Sequence, residues 1–82
     1  MNVPDALMQR FFARFDQRLI ELTRLAHASD EDALALAFHS LAGIGGTYGF
    51  QEITIVARAA EQGRRDVWDA IGELERIRNS RR

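Results

Sequence analysis

The chain has 82 residues and a formal net charge of −1, with 46% hydrophobic and 28% charged residues. This length corresponds to one small domain, residues 1–82, and the proportions of apolar and charged residues are those of a folded chain rather than a disordered one. A net charge near zero disfavours a nucleic-acid binder, and the lack of cysteine excludes disulfides, thiol nucleophiles and zinc–thiolate sites.

The first third of the chain predicts an amphipathic helix over about residues 4–26. Apolar residues recur there every three or four positions, and Pro4 suits a first helical turn. The three phenylalanines of this stretch could form a binding stripe on its surface. Because their spacing is more typical of a buried face, we predict that Phe11, Phe12 and Phe15 belong to the core.

The second predicted helix covers about residues 30–45. Ser29 can cap its first turn, and the three acidic residues that follow suit the positive end of a helix dipole. One seam of apolar residues is expected to face the core: Leu34, Ala37, Leu41 and Ile44. Two successive glycines, Gly45 and Gly46, are expected to end the helix because glycine weakens helical structure.

Two shorter helices are predicted over about residues 48–62 and 66–79. Gly63 is placed to end the first of them, and Asp66 can cap the second. The sequence contains no strand or hairpin signal. Four amphipathic helices joined by short links predict an all-α fold, an up-down-up-down antiparallel four-helix bundle.

His39 is the histidine in the more suggestive chemical setting. On the second predicted helix it lies roughly 140–160° from the apolar seam, so we expect it to face water. Its helical neighbours include four very small residues, Ala35, Ala42, Gly43 and Gly46. An uncrowded imidazole, much of which is neutral near pH 7, can act as a nucleophile. The alternative is an ordinary surface histidine on a helix whose glycines serve close packing.

A distinctive pattern of residues begins at His39. It consists of His39-Ser40-Leu41-Ala42-Gly43, the stretch from Gly46 to Phe50, Ile53 and Glu61. This pattern resembles a histidine-containing phosphotransfer (HPt) domain, most closely that of chemotaxis-type histidine kinases. The resemblance implies a helical bundle that carries its histidine on the second helix. One position departs from the family pattern: the lysine three residues after the histidine is Ala42 here, and the chain contains no lysine.

The resemblance also implies roles for individual residues. His39 would accept a phosphoryl group, and Glu61 would hydrogen-bond the ring nitrogen that is not phosphorylated. Arg58 and Arg65, on the same helical stripe as Glu61, would supply positive charge in place of the missing lysine. A partner would dock on the exposed side of the second helix, at Ala35, Ala42, Gly43 and Gly46.

A phosphocarrier of this kind implies a histidine kinase and a response-regulator receiver domain as partners. Magnesium is expected on the receiver, and no cofactor or metal on this chain, which we expect to be a monomer without catalytic activity of its own. No apolar run is long enough to span a membrane and no signal peptide is recognisable, so we expect a cytoplasmic protein. The alternative function is a helical protein-interaction module without phosphotransfer.

Overall fold

The computed structural model describes residues 5–80, which form four helices and contain no strand. The helices are α1, Asp5–His27; α2, Glu31–Thr47; α3, Gln51–Glu61; and α4, Val67–Ser80. The predicted all-α fold is confirmed, and most helix ends lie close to their predicted positions. The predicted start of the first helix at Pro4 lies outside the described residues.

The four helices pack in a closed ring in which each helix contacts two others. α1 packs against α2 and α4, and α3 packs against the same two helices, with the most extensive interface between α2 and α3. Contacts between residues far apart in sequence show that α1 and α4 run antiparallel. Asp16 binds Arg78, and His27 at the end of α1 meets Trp68 at the start of α4. This arrangement is the predicted up-down-up-down bundle.

The core contains apolar residues from all four helices. Phe11 and Phe15 are almost completely buried, and the Phe11 ring stacks on Phe50 with ring centroids 4.8 Å apart. Phe12 is partly buried and packs against the edge of this core. The predicted core position is confirmed for Phe11 and Phe15 and holds in part for Phe12. Because burying one such ring contributes about 1.5–3 kcal/mol, these side chains hold α1 against the other helices.

Aspartate side chains cap the starts of α2 and α4. At α2 the cap is Asp30, whose Oδ1 accepts from the backbone N–H of Ala33 at 3.2 Å, and not the predicted Ser29. Ser29 adopts a left-handed conformation with φ of 54°, which places it before the helix rather than at its cap. At α4 the predicted cap is confirmed, because Asp66 Oδ2 accepts from the N–H of Asp69 at 3.1 Å.

The break between α2 and α3 lies later in the chain than predicted. α2 continues through Gly45 and Gly46 and ends at Thr47, and the chain turns at Gly49, whose φ is 80°. The N–H of Phe50 then donates to the carbonyl of Gly45 at 2.8 Å and closes the end of α2. The predicted break is wrong because a glycine inside a helix weakens it without ending it, whereas a left-handed turn favours a residue without Cβ.

Ion pairs contribute less to this fold than the apolar core does. Arg78 binds Asp16 at 2.9 Å and links α4 to α1. Within α1, Arg24 donates to both carboxylate oxygens of Glu21, and this hydrogen bonding lowers the pKa of Glu21 and raises the pKa of Arg24. Because the second pair faces solvent, water and salt screen it, and it adds little to stability.

Candidate functional site

His39 projects from the outer side of α2. Its side chain is 74% exposed, while Leu34, Phe38 and Leu41 on the other side of the same helix are buried. The predicted orientation of His39 toward water is confirmed. The imidazole is therefore anchored on a regular helix and can be reached by another macromolecule without any opening of the bundle.

Glu61 reaches His39 from the neighbouring helix. Its carboxylate oxygen Oε2 lies 2.9 Å from Nδ1 of His39, and the Glu61 side chain is 29% exposed. Glu61 is the last residue of α3, and Gly63, with φ of 72°, ends this helix as predicted. The structure thus brings together the two residues that were expected at the centre of the site.

This contact favours one tautomer of the neutral imidazole. An ionised carboxylate can only accept hydrogen bonds, so the nitrogen that faces Glu61, Nδ1, is the donor. In the neutral ring the other nitrogen, Nε2, then holds the free lone pair. The geometry therefore prepares Nε2 of His39 to act as a nucleophile or a general base.

The surface of α2 next to His39 is largely uncovered. Apart from the adjoining residues and backbone of α2 itself, no atom lies within 4 Å of a Cβ built on Gly43, and for Gly46 the nearest such atom is Thr54 Oγ1 at 3.7 Å. Both glycines are exposed, and Ala35 is half-buried. Three of the four small residues expected on the docking surface are therefore at least partly accessible.

The sequence predicts the fourth small residue, Ala42, on the same docking surface, and this prediction is wrong. Ala42 is only 4% exposed, because a step of three residues from His39 turns its side chain toward α3. Its carbonyl accepts a hydrogen bond from the Thr54 hydroxyl of α3 at 2.8 Å. Position 42 therefore belongs to the interface between α2 and α3.

Two large exposed apolar side chains of α2 and α3 were missed at the sequence level. Leu36, three residues before His39, is 71% exposed, and Ile55 on α3 is 66% exposed and lines an open hollow together with Gly46. The available signal for Leu36 was its helical angle, since at about 100° per residue it lies nearly opposite the buried Leu34. We define the α2–α3 face by four residues: Leu36, Gly43, Gly46 and Ile55.

Two arginines flank Glu61 along the chain. Arg58, one turn before Glu61, is exposed, and Arg65, in the link between α3 and α4, is half-buried. Neither guanidinium forms an ion pair with another residue of the 5–80 stretch. Their positive charges are therefore not neutralised by an ion pair within this stretch.

Within residues 5–80, no cluster of three or more histidine, aspartate and glutamate side chains is arranged to hold a metal ion. None of the four described helices is both long enough and apolar enough to cross a membrane.

Comparison with known proteins identifies a family. Residues 6–80 match the family model described as Hpt domain, so the match extends from the start of α1 to the end of α4. No curated protein and no solved structure gave a match. The resemblance carried by the residues from His39 to Glu61 is therefore confirmed over nearly the whole chain.

Replacing His39 by glutamine should leave the stability of the bundle almost unchanged. Because the side chain is 74% exposed, we expect the free energy of unfolding to change by no more than about 0.5 kcal/mol. Urea unfolding followed by circular dichroism measures this quantity. Leu41→Ala, two residues away but fully buried, is the contrasting control and should lose about 2–5 kcal/mol. A comparable loss in His39→Gln would mean that the histidine serves packing.

Proposed function

Because the chain belongs to the Hpt domain family, whose members are phosphotransfer modules of two-component signalling, we infer that it is such a module. From that premise we propose that His39 accepts a phosphoryl group from a histidine kinase or a receiver aspartate and passes it to a response-regulator receiver domain. The observation that carries this proposal is the 2.9 Å hydrogen bond between Nδ1 of His39 and Glu61. It supports phosphoryl acceptance because, in the neutral ring, it leaves the lone pair of Nε2 free on an accessible imidazole.

The proposed step is an in-line displacement at phosphorus. Nε2 of His39 gives its lone pair to the phosphorus atom, and the bond from phosphorus to the donor oxygen breaks with its electrons retained by that oxygen. The imidazole gains positive charge while Nδ1 keeps its proton, and the Glu61 carboxylate stabilises that charge across the 2.9 Å contact. Onward transfer is the reverse reaction, in which a receiver carboxylate attacks phosphorus and the imidazole leaves.

The partner protein completes the chemistry. Hpt domains are carriers rather than catalysts, and we propose the same for this chain. The receiver supplies the aspartate, the magnesium ion and most of the charge stabilisation that phosphoryl transfer requires. The proposed setting is the cytoplasm, where the domain acts as a monomer between its kinase and its receiver.

The partner is proposed to dock on the α2–α3 face. Leu36 and Ile55 offer apolar contact area there, and Gly43 and Gly46 leave the backbone of α2 uncovered. A partner can bury such exposed apolar side chains, and the small residues let its active site come close. The proposed surface retains Gly43 and Gly46, which were predicted to take part in docking, and adds the apolar side chains of Leu36 and Ile55.

Arg58 and Arg65 are proposed to provide the positive charge that a lysine supplies in the family pattern. α2 carries no lysine or arginine, and Ala42, at the position of that lysine, is buried against α3. The guanidinium groups of the two arginines offer donors in a fixed planar arrangement that suits phosphate oxygens. Their lack of ion-pair partners among the described residues favours this role.

Phosphoryl acceptance is tested by incubation with candidate histidine kinases and ATP labelled at the γ-phosphate. We expect protein-bound label that is lost in acid and retained in base, as phosphohistidine requires, and that is absent from His39→Gln. His27→Gln removes the only other histidine and should be labelled like the wild type. No label from any kinase or phosphorylated receiver would contradict the proposal and favour an interaction module without phosphotransfer, the function that the missing lysine also favours.

Loss of an arginine should impair the phosphorylated site. At least one of the variants Arg58→Ala and Arg65→Ala should change a rate by about tenfold. Either phosphorylation of His39 should become slower, or hydrolysis of phospho-His39 should become faster. A charge-assisted hydrogen bond contributes about 1.5–3 kcal/mol, and about 1.4 kcal/mol corresponds to a factor of ten. Arg76→Ala is the matched control, because Arg76 lies exposed on α4, which does not pack against α2. Radiolabel kinetics decide, and identical rates in all three variants would exclude the proposed role of the arginines.

A large side chain on the α2–α3 face should obstruct docking. Gly43→Leu should weaken binding to a cognate receiver by about tenfold or more, because it fills the space next to His39 that the partner needs. Gly72→Leu on α4 is the matched control and should bind like the wild type. Both glycines lie in helices, and a Cβ built on either meets no atom within 4 Å outside its own part of the helix. Leucine should therefore not destabilise either helix. Calorimetry measures the affinities, and equal values for the two variants would mean that docking occurs elsewhere.

A further inference from the structure

A second hydrogen bond joins α2 and α3 close to the site. Thr54 of α3 donates its hydroxyl to the carbonyl of Ala42 on α2 at 2.8 Å, in a partly buried position. Thr54 and Glu61 are seven residues apart, so they lie on the same stripe of α3, two helical turns from each other. The same stripe of α3 therefore holds α2 at two points, one of which is His39.

The two helices come close at this point because residue 45 is glycine. A Cβ built on Gly45 would lie 2.9 Å from Thr54 Oγ1, closer than real Cβ atoms approach a neighbour, and 3.0 Å from Cγ2 of Ile53, closer than most of them do. Gly45 is itself buried. A side chain at this position would push α3 away from α2 and stretch the hydrogen bond of Thr54. Gly45 and Thr54 together therefore set the distance between the helices.

The contact between His39 and Glu61 is poorly suited to hold this geometry by itself. The two side chains are 74% and 29% exposed, and contacts between such side chains are weakened by water and by their own mobility. Reactive groups keep an accurate geometry when the elements that carry them are fixed by packing and by hydrogen bonds beneath the surface. The hydrogen bond from Thr54 to Ala42 is the described polar contact that meets this requirement.

We propose that Thr54 is a positioning residue for His39. Its hydrogen bond to the Ala42 carbonyl holds α2 and α3 at the spacing and register at which Glu61 meets Nδ1. Thr54 thereby keeps the proton on Nδ1 and the lone pair on Nε2. The effect on the imidazole follows from the geometry alone, whereas any effect on phosphoryl transfer rests on the proposed function.

Thr54→Val tests this role because valine keeps the branched shape and replaces the hydroxyl by a methyl group, which cannot donate a hydrogen bond. The carbonyl of Ala42 lies inside α2, where the helix supplies its own donor, so the substitution leaves no buried acceptor without a hydrogen bond. Thr54→Ser restores the hydroxyl and serves as the rescue variant. Thr23→Val is the matched control, since Thr23 donates a comparable, partly buried hydrogen bond to Leu19, but within α1.

The readout is the tautomer of His39, measured by ¹⁵N NMR of the neutral imidazole with no phosphoryl donor present. In the wild type, Thr54→Ser and Thr23→Val, we expect the proton to reside mainly on Nδ1. In Thr54→Val the ratio of the Nδ1–H to the Nε2–H form should fall roughly twofold or more, toward the ratio of a short unstructured peptide. Gly45→Ala, which separates the helices with the hydroxyl still present, should shift the ratio in the same direction and decides the matter if Thr54→Val does not fold.

Three results would overturn the positioning role. They are an unchanged tautomer ratio in Thr54→Val, an equal shift in Thr23→Val, and a wild-type ratio that already equals that of the peptide. In protein that becomes phosphorylated, Thr54→Val should also slow transfer by about tenfold, with recovery in Thr54→Ser, because a small misplacement of a reacting group slows a reaction steeply. A tautomer shift in a chain that never accepts phosphate would uphold the role of Thr54 and overturn the proposed function alone.

Discussion

The close approach of α2 and α3 is the constraint on which the rest of the structure depends. Gly45 permits this approach, because a Cβ at that position would overlap Thr54 and Ile53. The result is that two side chains 22 residues apart in sequence, His39 and Glu61, form a hydrogen bond at the bundle surface. α1 and α4 complete the ring behind this pair and bury the aromatic core, so the site rests on a scaffold to which it contributes little packing.

One side of α2 packs into the core and stabilises the fold, and the opposite side carries the proposed site. The inner side carries buried residues such as Phe38 and Leu41, which join the core with the phenylalanines of α1. The outer side carries His39, with Leu36 and Gly43 one turn away in either direction, and these are exposed. Since apolar burial is the main stabilising term in a domain of this size, the outer side can serve a partner without endangering the fold.

The fold was predictable from the sequence to a greater extent than the site was. Helical periodicity indicated four helices and the outward orientation of His39, because each depends on the spacing within a single helix. Glu61 could be proposed only through the family resemblance, since no local pattern connects residues on different helices. Periodicity did not indicate that Ala42 is buried or that the turn follows at Gly49. These features depend on which side of α2 meets α3 and which glycine adopts positive φ, and both are decided by packing between helices.

We propose that Glu61 holds the proton on Nδ1 of His39 and leaves Nε2 as the phosphoryl acceptor. NMR detection of the ³¹P–¹⁵N coupling in the phosphorylated, ¹⁵N-labelled protein identifies the nitrogen that bears the phosphoryl group. We expect a coupling to Nε2 of His39, with the proton retained on Nδ1 and still bonded to Glu61. A phosphoryl group on Nδ1 of His39, or on His27, would contradict the claim.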